Sequence, residues 1–183
     1  MPNRDPVLKA LRRHEVPAWW RDAKLGAWAH WDPQSMPEQG DWYAYRMYQE
    51  GSADFNYHVS HFGDPSTYGY KDICQNWVID QWDPSSLMDL YVQMGAKFFM
   101  ALGSHHDDFD TWASTYQPWN AVRVGVKKDI VGTWAPIARA KGMRFGSRSK
   151  RIVLNRFVMC SSPLFVSTKR TFKCSTGRSI PPA

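Results

Sequence analysis

"DPSSLMDLYVQMGAKFFMALGSHHDDFDTW", residues 83–112, decides the fold. Its first half carries helix punctuation: Asp83 can cap the start, Pro84 suits the first helical position, and Gly95 ends the run. Leu87, Leu90, Tyr91 and Met94 recur at helical spacing and predict one buried stripe. With no linker to speak of, "AKFFMALG" follows as a continuous apolar run, the pattern of a strand covered on both faces. A helix feeding directly into such a strand is half of a parallel α/β unit. The strand then gives way at once to two histidines and three aspartates, so the polar chemistry sits where the strand ends.

The same alternation extends in both directions. "LGAWAHW" (Leu25–Trp31) reads as a short strand closed by Asp32-Pro33. The aromatic-rich stretch over residues 41–63 reads as helical in parts and otherwise as an elaborate loop. "KKDIVGTWAPIARAKG" predicts a second helix with Ile130, Trp134, Ile137 and Ala138 on one face; Pro136 inside it implies a kink or a later start. "MRFG" opens a third strand. The expected class is α/β with a parallel sheet. A barrel of eight such units needs roughly 250 residues, so about three βα units fit here, the N-terminal portion of a larger barrel.

Bulk properties narrow the function classes. Ten Trp, nine Phe and eight Tyr in 183 residues argue for a packed core. No apolar run approaches the ~20 residues of a bilayer span, and the start lacks the apolar segment of a signal peptide. Cys74, Cys160 and Cys174 are scattered without metal-ligand spacing, and no disulfide framework is expected. The net charge of +6 is unevenly spread: residues 147–183 hold 8 of the 23 Lys and Arg and none of the 17 Asp and Glu. All the Trp and Tyr lie before residue 135, so the basic stretch lacks the interleaved rings that stack nucleobases, and a nucleic-acid partner is not expected. We divide the chain into a body, residues 1–146, and a tail, residues 147–183. The tail reads as non-native or disordered, the product of a lost reading frame or truncation near residue 147, with an authentic basic tail as the alternative.

In a parallel barrel the active face lies at the carboxyl ends of the strands. His30 closes the first strand there, and His105, His106 and Asp107 close the next, so two polar clusters 75 residues apart share one face. Three chemistries compete. A zinc site wants three or four ligands at ~2.0–2.2 Å, but neighbours along a strand point to opposite faces, which separates His105 from His106 unless the strand has already ended. Acid/base work would draw on Asp41, Asp107, Asp108 or Asp110, whose plainer role is capping and turn formation. A sugar surface needs hydroxyl partners and flat apolar rings, which Trp31, Trp42, Tyr43, Trp112 and Trp119 offer beside the histidines.

Five segments, "WWRDAKLGAWAHW", "PEQGDWYAYRMY", "MGAKFFMALGSHHDDFDTWASTYQPWNAV", "KKDIVG" and "KGMRFG", come in the order found in the α-L-fucosidases of glycoside hydrolase family 29, which the chain resembles from about Trp19 to Gly146. The resemblance implies a TIM-like (β/α)8 catalytic domain and retaining hydrolysis of terminal α-L-fucose from a fucosylated glycan, with no metal or other cofactor. It implies His30, His105 and His106 as hydroxyl ligands, and Asp41 and Trp42 at the sugar, where the family usually has Glu-Trp. Asp32 and Asp108 each stand where a Gly is common. The family's nucleophile and acid/base carboxylates are expected beyond the matched region, so no catalytic residue is assigned and the chain alone is expected to be inactive. A non-catalytic fucose-binding protein and a metal-dependent hydrolase are the alternatives.

Overall fold

The computed structural model describes residues 5–149. Helices α1 (Asp5–Arg12) and α2 (Ala18–Ala23) precede strand β1 (Ala27–Ala29) and a 3-10 turn (Pro33–Ser35). A long crossover follows, with α3 (Tyr43–Arg46), α4 (Ala53–Phe62), α5 (Tyr70–Asn76) and α6 (Pro84–Gln93), and returns to β2 (Phe98–Ser104). Helix α7 (Ile130–Ala140) then leads to β3 (Arg144–Ser149). The strands form one parallel sheet in the order β1-β2-β3, with Ala29 opposite Ala101 and Ala101 opposite Ser147. The chain is therefore a partial α/β domain, as the alternating pattern predicts.

The central strand explains the core. Phe99 is fully buried and lies between Tyr91 of α6, Trp134 of α7 and Phe145 of β3, with ring centroids 5.5, 4.7 and 6.2 Å away. Removing rings of this size from water stabilises by roughly 1.5–3 kcal/mol each, enough to fix both helices on that face of the sheet. On the other side Phe98 lies across the backbone of Gly26, where an added Cβ would meet its ring at 2.1 Å, and packs on Trp20 at 4.8 Å. Cys74 is a free thiol buried within the same core.

Some boundaries and faces differ from the sequence reading. β1 is trimmed to Ala27–Ala29, leaving His30 just past its end. Asp83 does cap α6, accepting from Ser85 and Ser86 N–H at 2.9 and 3.1 Å, but the stripe is shifted. Met88 is the fully buried residue, Leu87 and Tyr91 pack beside it, and Leu90 and Met94 are 51% and 59% exposed. A helix lying on a single sheet buries a narrow arc, so the flank of a wide apolar stripe stays in water. The expected face of α7 holds: Ile130, Trp134 and Ala138 are buried and Ile137 packs beside them. Its start is not delayed by Pro136, because Asp129 caps at Gly132 N–H (2.6 Å) and the ring sits on the exposed side. β3 continues three residues past Gly146, to Ser149. From residue 150 onward the expected basic tail lies outside the described residues, as do Cys160 and Cys174.

Candidate functional site

The site forms where β1 and β2 end. Past Ser104, the loop folds back on its own strand: Thr111 N–H donates to Gly103 O at 2.9 Å, its hydroxyl donates to Leu102 O, and Asp110 bridges Ser104 and Asn120. Gly103 is required by close approach, since a Cβ there would lie 2.6 Å from Ser147 Oγ of β3. This folded-back loop holds His105 and His106 fully buried at the strand end. Opposite them, Asp32 caps the 3-10 turn by accepting from Gln34 N–H at 3.0 Å, and Ser35 Oγ donates to its carbonyl at 2.8 Å. The turn carries the chain from His30 towards Asp41 and Trp42 on the same side.

All five residues singled out from the sequence meet there. Asp41 Oδ2 lies 3.5 Å from His30 Nε2 and 3.9 Å from His105 Nε2. The His30 and His105 rings meet edge to face at 4.6 Å. His106 Nε2 donates to the Asp41 carbonyl at 2.8 Å, and its ring stacks on Trp42 at 4.2 Å and 13°. A cavity of about 150 Å³ is lined by His30, Asp32, Gln34, Ser35, Gly40 and Asp41. Closed small-molecule pockets run to roughly 300–1,000 Å³, so these residues form one wall of a site rather than a complete enclosure.

The structure also decides between roles left open by the sequence. Tyr43 is not a sugar platform: it is fully buried, and its hydroxyl bonds His58 Nδ1 at 2.7 Å inside the core. Trp31 packs edge-on to Trp77 at 5.3 Å and against Trp82. Asp107 is not part of the cavity lining; it accepts from Tyr70 O–H and from Phe109 N–H (3.1 Å). Burial drives its pKa well above the carboxylate range, with the nearby Asp32 charge adding to the rise. Burial likewise raises Asp32 to about 6, offset in part by its hydrogen bonds from Gln34.

For a metal, the relevant trio is His30, Asp41 and His105, whose ligand atoms lie within 4.8 Å of one another. Strand alternation does not separate the two adjacent histidines, because β2 ends at Ser104 and their ring centroids lie 4.5 Å apart; His106 is outside the trio because its Nε2 is turned to the Asp41 backbone. Ligands on a tetrahedral zinc at ~2.0–2.2 Å stand roughly 3.3–3.6 Å apart, and the trio would have to close inward to hold one.

Sequence reasoning missed Gln34. It is 1% exposed; its Oε1 accepts from Ala44 N–H at 3.1 Å, and its Nε2 donates to Asp32 Oδ2 at 3.2 Å and to His105 Nδ1 at 2.9 Å. In sequence it stands in a Pro-Gln-Ser turn, where nothing distinguishes a buried amide from a solvated one.

The profile of a family described as alpha-L-fucosidase matches residues 3–173. Plasma alpha-L-fucosidase of Rattus norvegicus is 32% identical over 135 residues, 69% of this chain and 28% of its own length. Tissue alpha-L-fucosidase of Homo sapiens is 28% identical over 143 residues, 77% of this chain and 30% of its own. The Thermotoga maritima alpha-fucosidase in complex with fucose superposes with a TM-score of 0.73 at 28% identity, over 82% of this chain and 40% of that one. The chain thus spans about a third of the length of the curated relatives it matches.

Proposed function

Because this chain belongs to the α-L-fucosidase family of glycoside hydrolases, we propose that it carries the fucose-binding wall of such a site on the first three βα units of a TIM-like barrel; β3, which runs to Ser149, and the family match, which runs to residue 173, carry that part past the division into residues 1–146 and 147–183 read from the sequence. The observation that carries this reading is the convergence of His30, Asp41 and His105 on one point, with Trp42 stacked on His106 beside them. Hydroxyl groups both donate and accept; imidazole N–H groups beside a carboxylate offer the matching set, and the indole offers an apolar ring face. His30, Asp41, Trp42, His105 and His106 are the proposed sugar contacts.

Glycoside hydrolysis takes two carboxyl groups flanking the scissile bond. Among the described residues the cavity lining offers two carboxylates: Asp41, half exposed, and Asp32, buried and bonded to Gln34. Asp41 alone is reachable, so the 183-residue chain tested by itself binds sugar without turning it over. Titration with L-fucose, followed by Trp fluorescence, tests the binding: saturation in the wild type that disappears in His105→Ala supports it, and a flat wild-type titration sinks it. Release of nitrophenol from a nitrophenyl fucoside above the His105→Ala background would overturn the inactivity. A non-catalytic fucose-binding protein predicts the same binding and the same silence; stoichiometric zinc by elemental analysis, lost in Asp41→Ala, would favour the metal reading.

A further inference from the structure

The Gln34 amide has only one possible orientation. Ala44 N–H must donate, so the atom it meets at 3.1 Å is the Gln34 oxygen, and the other terminal atom is the NH2. That NH2 has two hydrogens and two partners, Asp32 Oδ2 at 3.2 Å and His105 Nδ1 at 2.9 Å. An amide nitrogen only donates, so His105 Nδ1 accepts, and in the neutral ring the proton belongs to Nε2. Nε2 is buried and lies 3.9 Å from Oδ2 of Asp41, which lines the cavity.

We infer that Gln34 is a positioning residue that locks His105 in the Nε2–H tautomer, so that this ring always presents a donor to the sugar and Asp41 the acceptor. The inference rests on the sugar-site reading for its purpose but not for its test. A hydroxyl bound between them receives a hydrogen bond from His105 and gives one to Asp41. The opposite tautomer would put two acceptors, Nε2 and the carboxylate, against one hydroxyl hydrogen, and would leave an N–H facing the Gln34 amide hydrogens. Asp32 fixes Gln34 in turn, through the backbone and side-chain bonds it accepts.

The test is a long-range 1H–15N correlation of the histidine rings in the uniformly labelled 183-residue chain at pH 7.5, with His105 assigned from the signals lost in His105→Gln. The wild type is expected to show a bare Nδ1 and a protonated Nε2. Gln34→Glu keeps the shape but places an acceptor against Nδ1, which then carries a proton; fucose affinity falls about tenfold, the worth of one mismatched hydrogen bond. Gln34→Met removes the amide altogether and leaves His105 in a mixture of tautomers. A protonated Nδ1 in the wild type overturns the inference, and so does a Nε2–H pattern unchanged in both variants. The tautomer is read without sugar, so a chain that binds no fucose but shows the lock refutes only the sugar-site reading.

Discussion

Asp32→Asn should gain stability relative to the wild type as pH rises from about 4 to 7. The wild-type carboxyl is buried beneath the 3-10 turn, and burial, the largest influence on it, raises its pKa from 3.8 to about 6. A folded-state pKa above the unfolded one means that the folded chain holds the proton more tightly. The associated stability is fully present below about pH 4 and is lost as pH rises to about 6. Roughly two pH units at 1.36 kcal/mol each sets a ceiling of ~3 kcal/mol lost between pH 4 and 7. The neighbouring Asp107, itself raised, shares in this burden, so neutralising Asp32 also relieves Asp107. Asparagine keeps the acceptor for Gln34 N–H but turns its NH2 toward the Gln34 NH2, a cost that does not vary with pH and so shifts the whole difference curve without changing its slope. Urea unfolding of both chains at half-unit steps from pH 4 to 7.5, followed by Trp fluorescence, isolates the contribution as the difference between the two curves. A difference that stays constant across that range would refute the assignment.

Further outcomes follow from packing and turn geometry. Met88→Ala should cost about 2–5 kcal/mol in urea unfolding, because the side chain is fully buried against the sheet; Leu90→Ala, on the exposed flank, should stay within about 0.5 kcal/mol. Gly125→Ala combines a φ of +66° with a Cβ placed 2.3 Å from Cys74 O, and should lower stability by more than the ~1–3 kcal/mol of backbone strain alone. Asp129→Ala removes the acceptor at the start of α7 and should cost about 1 kcal/mol in the same assay. In a Cys160→Ser/Cys174→Ser background, Cys74 should react with a thiol reagent only on unfolding, since it is buried and burial raises its pKa well above the usual thiol value.

What the sequence disclosed was periodicity and order. The cap at Asp83, the apolar run that became β2 and the stripe of α7 were legible because each depends on neighbours within a few residues. The meeting of His30 with His105 was also legible, but only through the rule that strand ends of a parallel sheet share a face. The exposed flank of α6 was not, because hydrophobic spacing says which residues share a face and not how much of it the sheet covers. Gln34, the burial of Tyr43 and the coupling of Asp32 to Asp107 were invisible for one reason: each depends on contacts between distant segments whose partners carry no shared pattern.

The sheet order repeats the order of the chain, and each strand pairs with the one made just before it. Assembly during synthesis can therefore proceed in one direction, with no early strand waiting for a late one to be threaded between its neighbours. The two crossovers are unequal: β1 must wait through residues 30–97 for its partner, while β2 waits through 105–143. Closure entropy grows only with the logarithm of length, ~0.6 kcal/mol per doubling, so the longer wait is a matter of timing more than of stability. Until β2 is laid down, His30 and Asp41 have no His105 to meet. The trio of His30, Asp41 and His105 is thus a late product of translation, and a nascent chain that acquires it has already registered its first two strands.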